Sequence, residues 1–300
     1  MLHLHRFSLA VILLTAAALP AAESPRSRES FDPGWSFVKG DPAGAEKVDF
    51  DASGWRELDL PHDWSVEHNF DPDAPAGAPG GYLPAGIGWY RKAFRVPENL
   101  EGRRFFIEFD GIYMNGEVWI NGQRLGKRPY GYIGVEYELT PHLNFGGRNV
   151  IAVRVDDSRQ PSARWYGGAG IYRHVWLTHT DPVHVDHWGT YVRTPMVNDS
   201  AATVAIDTEV VNDLPSAQKV TVLQEILSAD GRVVAKTKAT VGVPGGGAHT
   251  TAQTLRLANP QLWSPDSPHL YTVRTTLRSG RTVRDVYESP LGVRTLRFDR

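Results

Sequence analysis

Adjacent acids and spaced histidines are the first groups able to do chemistry. A carboxyl pair cleaves a glycosidic bond when one group protonates the leaving oxygen and the other attacks or activates water, which needs a separation of about 5–10 Å across a sugar ring. Asp156 and Asp157 are consecutive. Consecutive strand residues point to opposite faces, so at most one of them can face a given pocket. Two readings stand: a turn after residues 151–155 held by Asx hydrogen bonds, or a ligand for sugar hydroxyls. His184 and His187 form the candidate metal pair, yet a spacing of three on a strand puts them on opposite faces, and no metal is assigned to them. The chain has no cysteine. HExxH and phosphate-loop patterns are absent, and the glycine clusters lack the strand-to-helix setting of a nucleotide site. No complete catalytic set is visible.

Aromatic residues are the second chemical resource, at 10% of the chain with nine tryptophans. Their faces pack cores, and they also stack on the C–H faces of pyranose rings. Trp64, Tyr82, Tyr130, Tyr132, Trp165 and Tyr166 fall in loop-like sequence. For each, packing beneath a loop is the first expectation and sugar stacking the second.

The elements that must hold these groups read as strands. Beyond residue 22 no convincing helical period persists over three turns, whereas short alternating runs bounded by Gly, Pro, Asn and Asp recur. Residues 103–109, 117–120, 150–155 and 173–179 are strand candidates with the spacing of a sandwich or jelly roll. Asn121-Gly122 between apolar runs predicts a hairpin, because this pair accepts the positive φ angles of a type I′ turn. Residues 71–81, rich in Pro, Ala and Gly, form a long loop, and long loops in compact domains are often functional. From residue 182 a second set begins, at 183–192, 202–212, 219–227, 232–241, 249–257 and 270–278, as in an immunoglobulin-like sandwich. The expected organisation is all-β: a jelly-roll, galactose-binding-like sandwich over 26–181 and an immunoglobulin-like sandwich over 182–293.

Bulk properties agree. Three hundred residues with 41% hydrophobic content suffice for two cores. With 32 basic and 34 acidic residues and a net charge of −2, no electrostatic excess points to nucleic acid or an anionic membrane. Residues 1–22 join a basic start to an apolar run at 7–19 that ends in small residues. The run is too short to span a bilayer and reads as a bacterial export signal cleaved after Ala22, giving a periplasmic or secreted product with no membrane span. Lacking cysteine in an oxidising compartment, the protein must be stabilised by burial.

Several motifs then fall in a familiar order. Pro61-His62-Asp63-Trp64, Gly88-Trp89-Tyr90-Arg91-Lys92, Phe109-Asp110-Gly111-Ile112, Val118-Trp119-Ile120-Asn121-Gly122, the run from Asn149 to Asp156 and the run from Arg164 to Arg173 together resemble the sugar-binding domain of glycoside hydrolase family 2, the β-galactosidase type. The segment Leu262 to Tyr271 resembles a signature near the end of that family's immunoglobulin-like domain, and Gly292-Val293-Arg294 its next linker. The resemblance covers residues 30–300.

It implies a retaining glycosidase whose two catalytic glutamates lie on a following (β/α)₈ barrel. No residue here matches those glutamate motifs, so no catalytic residue is assigned. Residues 294–300 are expected to begin a truncated linker to the absent barrel, and the chain alone is expected to be inactive. The family sends loops from its first domain to the barrel mouth. The resemblance places Asp157 there, hydrogen bonding to substrate hydroxyls, with Asp156, His62, Asp63 and Trp165 as further substrate-binding candidates. The expected partners are a β-galactoside or related glycan and the protein's own barrel. No cofactor is expected in this chain, and a metal ion belongs at most to the full-length enzyme. β-Glucuronidases and β-mannosidases share these front domains. A stand-alone carbohydrate-binding or adhesion module is the reading from another class.

Overall fold

The computed structural model describes residues 25–297. The export signal expected at 1–22 lies outside the described residues, as do residues 298–300. The first block contains β1 (Ser27–Ser30), β2 (Trp35–Lys39), β3 (Arg56–Leu58), β4 (Ile87–Arg95), β5 (Arg104–Phe109), β6 (Gly116–Ile120), β7 (Gln123–Arg128), β8 (Val135–Glu138), β9 (Arg148–Asp156) and β10 (Val175–Thr180). They make a six-stranded sheet, β3-β2-β4-β9-β6-β7, facing a four-stranded sheet, β1-β10-β5-β8. This is the expected jelly-roll sandwich. Between the sheets Trp35, Tyr90, Phe105, Ile107, Val118, Ile151 and Val153 are buried.

The six-stranded sheet is covered on its outer face as well. Residues 41–55 fold over it, so Trp89 and Trp119 stack with centroids 5.2 Å apart in a small apolar cluster with Ala45 and Ala152. Asp41 fixes this cover, accepting from Trp89 Nε1 at 2.7 Å and from Arg154 Nη2 at 2.7 Å through its two oxygens. Burial on both faces explains the near-continuous apolar composition of β9 and the weak alternation of β4. The hairpin between β6 and β7 turns on Asn121 and Gly122 at φ 49° and 79°, as the Asn-Gly pair predicts.

The second block contains β11 (Val183–Asn198), β12 (Ala201–Asn212), β13 (Gln218–Leu227), β14 (Val233–Val243), β15 (Gly247–Ala258), β16 (Tyr271–Ser279) and β17 (Thr282–Leu291). Sheet β11-β12-β15 faces sheet β14-β13-β16-β17, an immunoglobulin-like sandwich of the expected kind. Alternation is clean along β12, where Ala202, Val204, Ile206, Thr208 and Val210 point inward. One polar bridge crosses this core. Gln224 on β13, fully buried, donates to Thr208 Oγ1 at 2.8 Å and accepts from Thr275 Oγ1 at 2.8 Å.

Ion pairs tie the blocks together. Arg26, just ahead of β1, donates to both oxygens of Asp285 on β17 at 3.0 and 2.8 Å, and Asp285 also accepts from the Val185 backbone N–H at 2.8 Å. Arg104 on β5 pairs with Asp213 at 2.9 Å. Among the described residues no helix is long and apolar enough to cross a membrane.

Candidate functional site

The carboxyls of Asp156 and Asp157 part company at the end of β9. Asp156 closes the turn: its Oδ1 accepts from the Ser158 N–H at 3.1 Å and hydroxyl at 2.6 Å, and its Oδ2 accepts from Arg154 at 3.2 Å. Burial alone would raise this carboxyl. The Ser158 bonds and the Arg154 charge outweigh it and hold Asp156 below the ordinary carboxylate range.

Asp157 turns the other way, into a cleft lined by Ser65, Pro84, Tyr113, Ser162, Trp165 and Tyr166. It is buried, with 5% of its surface exposed. Its backbone N–H donates to the Gly86 carbonyl at 2.8 Å, and its Oδ1 accepts from Gln160 Nε2 at 2.6 Å. Burial, reinforced by the charges of Asp63 and Asp156, pushes the Asp157 carboxyl up to about 7, against the lowering pull of Gln160. The adjacent acids thus separate, Asp156 closing the turn and Asp157 facing a cleft.

His62 and Asp63 divide in the same alternating way. His62 is buried, with Nδ1 2.7 Å from Tyr90 Oη and Nε2 2.8 Å from Arg56 Nη2. Burial pushes its imidazole below the usual range although Glu67 opposes the shift. Its contacts knit the core, and it does not line the Asp157 cleft. Asp63 faces outward at the rim. Its Oδ1 accepts from the Ser65 N–H at 3.0 Å and its Oδ2 from the Tyr166 hydroxyl at 2.5 Å. Burial and that bond raise the Tyr166 phenol. Trp64 packs beneath the loop, stacked on Phe37 with centroids 5.7 Å apart.

The loop carrying Trp165 and Tyr166 is held against this motif by backbone bonds, Ile171 O accepting from His62 N at 2.9 Å and Ala169 O from Trp64 N at 3.1 Å. Gly170 sits at φ +134°, where an added Cβ would lie 2.4 Å from Tyr90 Oη and 2.5 Å from the His62 carbonyl. Of the six loop aromatics only Trp64 packs out of sight. Tyr82, Tyr130, Tyr132, Trp165 and Tyr166 are all exposed, contrary to the first expectation. Trp165 Nε1 donates to Tyr132 Oη at 2.9 Å and Tyr166 Oη donates to Asp63, bonds that leave the ring faces uncovered.

The histidine pair also departs from expectation. His184 and His187 both line one cleft of about 330 Å3 between the blocks. The register of β11 slips between Val185 and Thr190, with Trp188 at φ 50°, so simple alternation fails across that stretch. His187 Nδ1 lies 2.9 Å from Glu136 and its Nε2 3.8 Å from Glu108. Potential ligand atoms of these three residues lie within 4.8 Å of one another. Both ring nitrogens thus already face carboxylates, and Arg28 pairs with Glu108 at 3.0 Å. The arrangement is an ionic clamp between β5, β8 and β11.

The structure therefore brings Asp157, Trp165 and, through Tyr166, Asp63 together, and assigns Asp156 and His62 to turn and core. No sequence signal singles out Tyr113, Gln160 and Ser162, which also line this cleft. Tyr113 Oη lies 3.1 Å from Ser162 Oγ within the cleft.

Comparison with known proteins matches this geometry to a family. Residues 53–181 match the family model described as glycosyl hydrolases family 2, sugar binding domain, and residues 183–294 match glycosyl hydrolases family 2. The chain is similar to a β-galactosidase of Bacteroides ovatus, 46% identical over 95% of the chain and 34% of the relative. It is also similar to a β-glucuronidase of Formosa agariphila, 32% identical over 92% of the chain and 30% of the relative. A crystal structure of a glycosyl hydrolase family 2 member from Bacteroides cellulosilyticus superposes with a TM-score of 0.88 at 36% identity, covering 90% of this chain and 36% of that one. The chain spans about a third of the length of the curated relatives it matches.

Proposed function

The chain belongs to glycosyl hydrolases family 2, and from that premise we propose that its two sandwiches are the non-catalytic front of an exported retaining β-galactosidase, with Asp157 binding hydroxyls of the terminal sugar. The observation that carries this reading is the buried Asp157 carboxyl in an aromatic-rimmed cleft at the end of β9. A carboxyl pushed up to about 7 occurs in both protonation states near neutrality. Protonated, it donates to a sugar oxygen; ionised, it accepts from hydroxyls, and a bond that tightens in the transition state contributes to rate. Bond cleavage itself falls to two glutamates on a barrel, outside these 300 residues.

A neutral terminal sugar suits the cleft better than a uronic acid. Among the described residues lining it there is no lysine or arginine, and Asp63 adds negative charge at the rim, so a glucuronate carboxylate meets repulsion from this side. Similarity to the Formosa agariphila β-glucuronidase keeps β-glucuronide hydrolysis as the second reading.

The test is made in the full-length enzyme. Asp157→Ala is expected to lower kcat/KM for a β-galactoside at least about tenfold, the loss of one good hydrogen bond to the transition state. Unchanged kinetics remove the assignment, and turnover of β-glucuronides alone replaces galactoside by glucuronide. Steady glycoside turnover by the purified 300-residue chain would refute the division of labour. Export is read out by the amino terminus of the mature protein, expected at Glu23.

A further inference from the structure

The loops beside the Asp157 cleft carry more exposed aromatic surface than a sugar-hydroxyl contact requires. Tyr130 and Tyr132 lie between β7 and β8, and Trp165 lies between β9 and β10, with 58%, 38% and 62% of their surfaces exposed. Tyr132 meets Tyr130 edge-on at 5.6 Å and the buried Tyr113 edge-on at 5.2 Å. Edge-to-face contacts occupy one ring's rim and leave other faces open. The hydrogen bond from Trp165 Nε1 to Tyr132 Oη, 2.9 Å long, satisfies the polar edge of the indole while its face stays in solvent.

The scaffold beneath is closely packed. Gly131, between the two tyrosines, packs so closely on the Tyr113 ring that a Cβ there would lie 2.5 Å from it, and a Cβ on Gly167 would approach Tyr113 to 2.3 Å from the other loop. Tyr172 Oη ties the Gly131 carbonyl at 2.8 Å. Both loops are thereby clamped onto one buried ring, Tyr113, which also lines the Asp157 cleft. Rings fixed in advance bind at a lower entropic cost than rings that must be ordered by a ligand.

We infer that Tyr130, Tyr132 and Trp165 form a stacking platform for the second sugar ring of a glycan chain, next to the terminal sugar held at Asp157. This rests on the reading of that cleft as the terminal-sugar site. It narrows the substrate class to oligosaccharides in which the leaving group is itself a pyranose presenting a C–H face. Aromatic faces carry partial negative charge and pyranose C–H bonds partial positive charge, so the contact favours a neutral ring without demanding a particular hydroxyl pattern.

The experiment compares, in the full-length enzyme, kcat/KM for a β-linked oligosaccharide and for the methyl glycoside of the same terminal sugar. The β-galactosyl pair is used, or the β-glucuronyl pair if that is the sugar turned over. Tyr130→Ala, which lies outside the lining of the Asp157 cleft, is expected to lower the oligosaccharide-to-methyl-glycoside ratio about tenfold, and Tyr130→Phe, which keeps a ring face, about twofold or less. An unchanged ratio in Tyr130→Ala overturns the platform, as does an equal loss on both substrates. If Tyr130→Ala does not fold, Tyr132→Ala is judged by the same ratio. Asp157→Ala, run in parallel on the methyl glycoside, reports separately on the terminal-sugar site.

Discussion

Asp156 and Asp157 are covalent neighbours whose carboxyls are driven in opposite directions, Asp156 down by its Ser158 bonds and Arg154, Asp157 up to about 7 by burial and nearby acids. The raised group has a signed consequence for stability. Folded Asp157 holds its proton to about neutrality, whereas the unfolded chain releases it near the ordinary value of 3.8. Its contribution is therefore fully present below that value and is lost as pH rises through about 7. Asp157→Asn keeps the acceptor for Gln160 and removes the charge. It should melt above the wild type at pH 8, by about 2–4 °C for each kcal/mol relieved, and the gap should close by about pH 4. A gap independent of pH would show that Asp157 does not titrate as described.

Local chemistry made parts of this legible from residues alone. Asn121-Gly122 predicts its own turn because only a few residue types accept two positive φ angles. β12, β13 and β15 of the second block are legible because one face of each is buried and the other is wetter. β4 has no comparable signature, since residues 41–55 cover its outer face from far along the chain. Alternation separates His184 from His187 only while the register holds, and a slip in β11 leaves no mark in composition. Tyr113 carries no mark in the sequence because its role depends on Gly131 and Gly167, which approach it only in the folded state.

Gly170→Ala should be among the most damaging single substitutions in the first block. The new Cβ meets Tyr90 Oη at 2.4 Å and the His62 carbonyl at 2.5 Å, on a backbone at φ +134°. Overpacking and the strained conformation each cost about 1–3 kcal/mol, so a loss of about 3 kcal/mol or more in urea unfolding is expected. Gly122→Ala, in a turn where the nearest atom to an added Cβ is 3.9 Å away, should cost only the positive φ, about 1 kcal/mol.

The buried bridge Thr208–Gln224–Thr275 should behave as a unit. Gln224→Ala strands two hydroxyls and leaves a void, which together should cost about 2–4 kcal/mol. Gln224→Leu combined with Thr208→Val and Thr275→Val removes every member and fills the space, and should recover most of that loss. Additive losses in the combined variant would mean that the three side chains do not interact.

The clamp at His187 should make the junction between the blocks sensitive to pH in the opposite sense to a depressed carboxylate. Glu136 accepts its hydrogen bond, and Glu136, Glu108 and Asp186 all favour the charged ring, so its affinity for the proton is raised above the usual 6.5 despite burial. A raised histidine contributes stability that is fully present below 6.5 and disappears as pH climbs through the higher folded value. The ring is 29% exposed, and solvent screening should keep the contribution below about 1 kcal/mol. Among the other charged groups at this cleft, Arg28 neutralises part of Glu108, and Glu288 on β17 lines the wall opposite β8. His187→Gln preserves a polar side chain but cannot carry the charge. Urea unfolding of the two proteins should therefore differ at pH 5.5 and converge by pH 8.5, with 1 M salt shrinking the difference at the lower pH. A difference that persists unchanged at pH 8.5 would assign His187 to packing against Trp188, whose ring it stacks on at 4.8 Å, instead of to the ion pairs.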